Sequence, residues 1–391
     1  MTDFRSGYAL RRLSTVAIVI VAGCGGPPAT APPTSSAPPA ASPATATAPA
    51  NSPGASPSGR RGSVDAAAVQ DGLRTMLGTE RYQRLVQSVI IQVDGAVVAE
   101  HYADDSGPDV FHNGYSVTKS VMSTLIGIAI AEGLIPGVDA PLAELLPDRT
   151  TGMAPGMAQV TLEEILTMTS GLPEDELFND KYGPTADWTA VTLSTEPVNP
   201  PGTAFAYASS GSHLLSAILV RATGRPVLDY AREKLFDPLG ISTRPAAEAT
   251  VDLSLDAYNA LPGFAWTVDP TGLHVGFGDL KLTAPDMAKL GQLYLQDGVW
   301  EGTRLVPAEW VAESTRGHVD AYGSRYGYQW WVPDAHGYPA FAAFGRAGQL
   351  IEVVPDLGLV VAVSSKDDPA RLDADAVADQ VSTWIVPAVA G

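Results

Sequence analysis

Strand-like segments stand near both ends of residues 63–391, and helical patterns fill the region between them. Near the start, residues 88–93 and 96–102 are β-rich and flank Asp94-Gly95, a dipeptide typical of two-residue hairpin turns. Four more strands are predicted near the end, at 328–332, 339–345, 350–354 and 359–364. This arrangement predicts an α+β fold, with one antiparallel sheet built from both chain ends and flanked by helices. An all-helical region, at about residues 120–275, would be inserted between the strands and meet the sheet at a cleft.

Several helix boundaries carry local signals. Thr161 and Glu164 form a capping box before an apolar run, which predicts a helix to about Thr169. Gly224 would end another helix, and Pro226 suits the first turn of the next. The remaining helices are predicted at about 66–87, with breaks at Gly72 and Gly78, and at 211–222, 285–296, 307–315 and 373–385.

The first 23 residues have the pattern of a secretory signal peptide. A basic start precedes an apolar run of about 11 residues, which is too short to span a bilayer as a permanent helix. The run ends Val21-Ala22-Gly23-Cys24, which resembles a bacterial lipobox, and Cys24 is the one cysteine of the chain. The alternatives are a chance cysteine in an ordinary signal peptide and, from Arg11-Arg12, export by the twin-arginine route.

Residues 24–62 form a predicted disordered linker. Between residues 25 and 58 the segment consists of Gly, Pro, Ala, Ser and Thr, apart from Asn51. Such a composition buries too little apolar surface to offset the loss of chain entropy, and its prolines keep it extended. The sequence therefore predicts a protein anchored by lipid at Cys24 to the extracytoplasmic face of a bacterial membrane. The linker would hold the folded domain, residues 63–391, away from that membrane.

The chain is strongly acidic, with a formal net charge of −19. The excess of acid lies in residues 63–391, because the residues before them carry five arginines and one aspartate. An acidic body repels phosphate backbones, which argues against nucleic acid as a partner. The single cysteine excludes an intramolecular disulfide and a multi-cysteine zinc site.

Ser116 and Lys119 form a Ser-x-x-Lys motif at the start of a predicted buried helix. Residues 116–131 are apolar or small apart from Lys119, and Gly133 supplies a helix stop. A spacing of three places both side chains on one helix face, and the helix N-terminus favours negative charge on the serine oxygen. Burial favours the neutral amine, which could accept the Ser116 proton. Taken alone, the motif also fits a lysine whose stem is buried and whose amine reaches water.

Tyr207 is a candidate general base. It lies in the segment Ala206-Tyr207-Ala208-Ser209, where it could share a proton with Lys119. Tyrosine is a poor base in water, with a pKa near ~10, and an adjacent ammonium would lower that value. Taken alone, Tyr207 also fits a buried tyrosine before a helix capped by Ser209 or Ser210.

A glycine-containing segment, Gly345-Arg346-Ala347-Gly348-Gln349, lies between two predicted strands. Glycines such as Gly348 let a substrate approach a strand edge closely, although a tight turn needs them as well. The backbone N–H of Gln349 could join that of Ser116 as a second donor to an oxyanion.

In this order the three segments resemble the serine β-lactamase and penicillin-binding-protein superfamily, in its class C-like branch. Members share Ser-x-x-Lys, then Tyr-x-Asn or Tyr-x-Ser, then Lys-Thr-Gly or a variant such as His-x-Gly. The resemblance covers roughly residues 88–365 and is strongest to esterases and 6-aminohexanoate-dimer hydrolases. It implies a hydrolase in which Ser116 forms an acyl-enzyme while Lys119 and Tyr207 transfer protons, and in which no metal or other cofactor takes part.

The third motif departs from that of the superfamily. Arg346-Ala347-Gly348 lacks the lysine and the hydroxyl that many members use to hold a β-lactam or peptide carboxylate, and Ser209 replaces a longer Asn. Arg346 could still bind an anion through two hydrogen bonds. These departures argue against efficient β-lactamase or carboxypeptidase activity more than against hydrolysis itself. The expected substrate is a carboxylic ester, a small amide or a cell-wall-derived compound.

A loop rich in aromatic and turn residues is a candidate for the acyl or leaving-group pocket. It contains Tyr182, Asp187 and Trp188, and a plain surface loop explains it equally well. His112, His213 and His336 show no metal-ligand spacing and are interpreted as structural. Two alternative functions stay open: a penicillin-binding or β-lactam-hydrolysing protein, and a catalytically weak lipoprotein that binds the cell wall.

Overall fold

The structure, a computed structural model, describes residues 64–174, 183 and 186–391. Its helices are α1 (Ala66–Met76), α2 (Glu80–Leu85), α3 (Val117–Ala131), α4 (Leu142–Leu145), α5 (Leu162–Leu166), α6 (Trp188–Leu193), α7 (Ser209–Thr223), α8 (Val227–Ala231), α9 (Leu255–Asn259), α10 (Ala284–Leu295), α11 (Ala308–Ser314), α12 (Ala374–Gln380) and α13 (Val386–Ala390). Single π-helical turns continue α8 over Arg232–Phe236 and join α12 to α13 over Val381–Ile385.

The strands range from two to eight residues in length. They are β1 (Val86–Val93), β2 (Ala96–Tyr102), β3 (His112–Asn113), β4 (Ala246–Ala247), β5 (Phe264–Ala265), β6 (Lys281–Leu282), β7 (Val299–Trp300), β8 (Thr303–Arg304), β9 (Val319–Ala321), β10 (Ser324–Tyr326), β11 (Trp331–Val332), β12 (Asp334–Ala335), β13 (Tyr338–Pro339), β14 (Phe341–Gly345), β15 (Gln349–Val354) and β16 (Leu359–Ser365).

In the described part of the chain, eight strands form one antiparallel sheet in the order β2-β1-β16-β15-β14-β11-β10-β9. Asp94 and Gly95 join β1 to β2 with φ angles of 49° and 81°, the left-handed values that this turn requires. Val89 of β1 lies opposite Val363 of β16, so the first hairpin pairs with the last strand. The predicted α+β class, with a sheet drawn from both chain ends, is confirmed.

The sheet separates two hydrophobic cores because successive side chains of a strand point to opposite faces. On β15, Leu350 and Val354 belong to the core under α1, α12 and α13. Ile351 and Val353 belong to the larger core, which contains α3, α7 and α10. Both faces of the central strands are therefore buried, which explains why β16 is buried along its whole length.

Helix α10 packs closely on the larger-core face of the sheet. A Cβ added at Gly291 would lie 2.6 Å from Val360 Cγ1 and 3.0 Å from Ile351 Cγ2. The glycine therefore lets the helix backbone approach β15 and β16. Beyond α10, the inserted region packs around α7, which contacts α3 to α6 and α8. This region is not all-helical as predicted, because β4 and β5 pair within it. Among the described residues, no helix has the length and apolar character to cross a membrane.

Local signals place the element ends better than the apolar patterns do. The Thr161–Glu164 capping box is present, although α5 ends at Leu166, and Gly224 ends α7 with a φ of 67°. The helical segment expected over 66–87 is divided at Gly78, as predicted, but α1 continues through Gly72, and residues 86–87 belong to β1. The strand expected over 328–332 is only β11, because Gln329 has a left-handed φ of 61° and its backbone N–H donates to Leu166 O of α5 at 3.0 Å. The hairpin of β9 and β10 was not expected from the sequence.

Glu352 lies in the middle of β15 and is 1% exposed. Its Oε2 has no hydrogen-bond partner among the described residues. Burial raises the pKa of Glu352 to about 8, and the nearby carboxylate of Asp379 adds to the rise. The folded protein therefore retains this proton above pH ~4.3, where an unfolded chain loses it.

We expect Glu352 to make the protein less stable as pH rises. Between pH ~4.3 and about 8 the folded state binds the extra proton, so Glu352 lowers the free energy of unfolding by about 1.4 kcal/mol per pH unit. Glu352→Gln removes this contribution, and its stability relative to wild type should increase from pH 5.5 to pH 8.5. Urea unfolding at both pH values measures the difference, with exposed Glu301→Gln as control. Parallel pH profiles for wild type and Glu352→Gln would contradict the expectation.

Candidate active site

Ser116 lies on a tight turn that leads from β3 into α3. The Tyr115 backbone has a left-handed φ of 47°, and its N–H donates to Asn113 Oδ1 at 2.8 Å. Gly114 N–H donates to Leu280 O at 2.9 Å, which ties the turn to the segment before β6. Ser116 occupies the N-cap position of α3, yet its side chain makes no capping hydrogen bond. Its Oγ therefore lies at the positive end of the helix without capping it.

Lys119 lies one helical turn further on and is 1% exposed. Its Nζ is 2.9 Å from Ser116 Oγ and 3.1 Å from the carbonyl oxygen of Phe277. The same Nζ lies over the Tyr207 ring, 4.7 Å from its centroid, and 5.6 Å from the centroid of Phe277. The structure thus brings together the three residues that the motifs single out, Ser116, Lys119 and Tyr207.

Tyr207 precedes α7 in a segment fixed by backbone contacts. Ala206 N–H donates to Met168 O at 2.9 Å, and the N-cap of α7 is Ala208, so neither Ser209 nor Ser210 caps the helix. The Tyr207 ring stacks on Trp331, with centroids 6.0 Å apart and an angle of 23° between the planes. Trp331 stacks in turn on Phe344 at 5.7 Å. The site is therefore bordered by an aromatic wall on the side of β11 and β14.

Asp279 places a carboxylate near the buried amine of Lys119. Its Oδ1 accepts a hydrogen bond from Asn113 Nδ2 at 3.0 Å. Burial raises the pKa of Asp279, while the hydrogen bond from Asn113 and the charge of Lys119 act in the opposite direction. Sequence reasoning missed Asp279 because it has no motif of its own and reaches the site from a loop 160 positions after Lys119 in the chain.

His213 and Asp269 form a pair with fully buried side chains behind Lys119. Gly276 N–H donates to His213 Nδ1 at 3.3 Å, so His213 Nε2–H is the donor to Asp269 Oδ2 at 3.0 Å. Burial raises the pKa of Asp269, but hydrogen bonds, first that from His213, outweigh this and hold the pKa below its ordinary value. The pair fixes the backbone next to Phe277, whose carbonyl holds Lys119. The structural interpretation of His213 thus extends to positioning this carbonyl.

The third motif forms a turn between β14 and β15. A Cβ at Gly345 would overlap the carbonyl oxygen of Gly114, so this glycine allows the turn to approach the one that carries Ser116. Gly348 has a left-handed φ of 80°. The Gln349 side chain is buried and donates to Ser365 O at 2.7 Å, so only its backbone N–H can serve an oxyanion.

Arg346 is engaged by a carboxylate. Its Nε donates to Asp367 Oδ2 at 3.0 Å, and the Tyr115 hydroxyl donates to the same oxygen at 2.9 Å. An anion that binds Arg346, as expected from the sequence, would therefore compete with the Asp367 carboxylate for the guanidinium. No sequence pattern points to Asp367, which follows β16 and reaches Arg346 only through the pairing of β15 with β16.

The candidate pocket residues are placed differently from one another. Tyr182 lies outside the described residues. Asp187 caps α6 by accepting from Ala190 N–H and pairs with Arg149 at 2.6 Å, so its carboxylate serves local structure. Trp188 is buried and stacks on Phe277 at 6.2 Å, one layer behind the residue that contacts Lys119. Within the described ranges, no three His, Cys, Asp or Glu side chains form a set that could hold a metal ion.

Comparisons with known proteins identify the family of this chain. A protein-family model described as Beta-lactamase matches residues 66–382. Penicillin-binding protein 4 of Amycolatopsis lactamdurans is 27% identical over 274 residues, which cover 65% of this chain and 71% of that protein. The 6-aminohexanoate-dimer hydrolase of Paenarthrobacter ureafaciens is 26% identical over 302 residues, which cover 70% and 71% of the two chains.

A solved structure shows the same fold. A family VIII carboxylesterase superimposes with a TM-score of 0.60 at 21% identity, over 81% of this chain and 96% of the carboxylesterase. The family match covers most of the chain and includes Ser116, Lys119, Tyr207 and the third motif. This chain therefore belongs to the β-lactamase family and is a serine hydrolase of the β-lactamase fold.

Proposed function

We propose that this protein hydrolyses carboxylic esters or small amides through an acyl-enzyme formed on Ser116. The observation that carries the proposal is the 2.9 Å distance between Lys119 Nζ and Ser116 Oγ, in a site where the amine is 1% exposed. A buried amine at hydrogen-bond distance is the arrangement that activates a serine nucleophile. The relatives named as a dimer hydrolase and a carboxylesterase support the same reaction class.

The proposed reaction has two steps. Ser116 Oγ attacks the substrate carbonyl carbon while its proton passes to the neutral amine of Lys119. The backbone N–H groups of Ser116 and Gln349 stabilise the resulting oxyanion, and the proton then passes by way of Lys119 and Tyr207 to the leaving alcohol or amine. In the second step water attacks the acyl carbon and gives up a proton, which passes by way of Tyr207 and Lys119 to Ser116 Oγ as its bond to the acyl carbon breaks, and the acid is released.

Hydrolysis of β-lactams is the second candidate, because the chain is similar to a penicillin-binding protein over 65% of its length. The third motif argues against it as the main activity. Arg346 is paired with Asp367, and Ala347 supplies no hydroxyl to a substrate carboxylate. Esters and small amides need neither group, so the site fits them better.

The proposed location is the extracytoplasmic face of a bacterial membrane. Support comes from the short apolar run that ends Val21-Ala22-Gly23-Cys24 and from the Pro/Ala/Ser/Thr-rich linker that follows. Substrates would then be small molecules or cell-wall fragments outside the cytoplasm. The acidic domain makes nucleic acid an unsuitable partner.

We expect Ser116→Ala to lower hydrolysis of p-nitrophenyl butyrate by roughly 10³-fold or more, and Lys119→Ala nearly as much, because the two residues act as a unit. Ser123→Ala is the matched control, since Ser123 is a buried serine on the same helix whose Oγ has no partner among the described residues. It should retain activity. Intact-mass spectrometry with a fluorophosphonate probe should show one adduct, absent only in Ser116→Ala. Turnover that persists in this variant would contradict the proposal.

Labelled penicillin separates the two candidate activities. The ester hydrolase should form little penicilloyl adduct within minutes, because the charge that would attract the penicillin carboxylate is paired with Asp367. Rapid, stoichiometric labelling of Ser116 would favour a penicillin-binding function. Tight binding of peptidoglycan fragments with neither ester turnover nor acylation would favour the binding lipoprotein.

Cys24→Ala tests the location. In a bacterial host that processes lipoproteins, the wild-type protein should fractionate with membranes and incorporate labelled palmitate, and the variant should do neither. Retention of the variant in the membrane fraction would contradict lipid anchoring. Its esterase activity should match that of the wild-type protein, because Cys24 is not among the residues proposed to carry out the reaction.

A further inference from the structure

A cluster of charged and polar side chains borders the site without taking part in the proposed reaction. Arg346 and Tyr115 both donate to Asp367 Oδ2, at 3.0 and 2.9 Å. Asn259, at the end of α9, donates to the Tyr115 hydroxyl at 3.5 Å. The Asp367 side chain is 6% exposed and that of Arg346 is 34% exposed. The carboxylate is thus held inside the cluster, while part of the guanidinium faces solvent.

The cluster is adjacent to the nucleophile. Tyr115 immediately precedes Ser116, and Gly345 packs against the backbone of Gly114. Arg346 therefore lies where the third-motif turn meets the nucleophile turn. If a part of the bound substrate extends from the oxyanion donors toward this turn, it approaches both Arg346 and Asp367.

The charges around this corner are balanced. Arg346 supplies the positive charge, and Asp367, 3.0 Å from its Nε, supplies the negative charge. A substrate carboxylate near Arg346 would also lie near the Asp367 carboxylate, which already occupies Nε of the guanidinium. The two carboxylates repel each other, and the net negative charge of the domain adds to the repulsion. A neutral group meets no such penalty.

We propose that Asp367 is a specificity-determining residue that neutralises Arg346 and directs the site toward substrates that are uncharged on this side. This inference rests on the proposed ester or amide hydrolysis and narrows its substrate class. The negative charge of Asp367 offsets the positive charge of Arg346. Removal of the Asp367 charge should therefore let Arg346 bind a substrate carboxylate. The positive charge is present in this chain but is unavailable to anionic substrates.

The test compares two pairs of chromogenic esters that differ by one carboxylate. In the acyl group, p-nitrophenyl butyrate is compared with p-nitrophenyl hemisuccinate. In the leaving group, p-nitrophenyl butyrate is compared with 3-carboxy-4-nitrophenyl butyrate. For each pair we measure the ratio of kcat/KM for the anionic ester to that for the neutral ester, using the full chain. The ratio cancels losses that affect both substrates equally.

In Asp367→Asn the ratio should rise about tenfold in the pair whose carboxylate reaches Arg346. The rise should shrink as ionic strength increases, because salt screens charges near the surface. The double variant Arg346→Gln/Asp367→Asn should show no rise in the kcat/KM ratio. Tyr115→Phe is the matched control, since it removes the other hydrogen bond to Asp367 Oδ2 without changing any charge, and its ratio should equal that of wild type.

Three results would overturn the inference. Equal losses on both esters in Asp367→Asn, with unchanged ratios, would make Asp367 a structural support of the turn. A shift in Tyr115→Phe as large as that in Asp367→Asn would assign the effect to turn geometry rather than charge. Wild-type protein that hydrolyses no ester and gives no adduct on Ser116 would overturn the proposed function and this inference together. In the first two results the neutral ester is still hydrolysed, so they overturn the inference alone.

Discussion

The site depends on the burial of one amine. Lys119 lies on an apolar helix packed inside the larger core, where an ammonium or amine must find polar partners within the protein. Ser116 Oγ, Phe277 O and the Tyr207 ring come from three separate segments and surround its Nζ. The requirement to satisfy Lys119 therefore couples the nucleophile turn, the loop before β6 and the start of α7 in one arrangement.

A second layer holds these segments in place. The His213–Asp269 pair fixes the backbone beside Phe277, and Asn113 connects the nucleophile turn to Asp279. Gly345 brings the third motif against Gly114, where any larger residue would overlap the backbone. Ser116, the proposed nucleophile, is thus supported from the sheet and from the helical region, and the proposed acylation would take place where the two meet.

Charge compensation distinguishes this site from one built to hold an anion. Arg346 stands in the third motif, yet Asp367 engages it from the segment after β16. The aromatic stack of Tyr207, Trp331 and Phe344 forms the neighbouring wall. A corner with paired charges and an aromatic border suits uncharged acyl or leaving groups. The same reasoning links the departures of the third motif to the proposed preference for esters and small amides.

Local sequence determined the fold class, several element ends and the identity of Ser116, Lys119 and Tyr207 as candidates. Hairpin turns, capping boxes and i, i+3 spacing act between residues close in the chain, so the sequence displays them directly. The partners Asp279, Asp269 and Asp367 were decided only by tertiary structure. Each is a single carboxylate that strand pairing or loop packing brings to distant residues. The separations are 56 positions for Asp269 and His213, 166 for Asp279 and Asn113, and 21 and 252 for Asp367 with Arg346 and Tyr115. Long-range packing leaves no periodic or spacing signal around such residues. The sequence therefore identifies the candidate catalytic residues but not the carboxylates that pack near them.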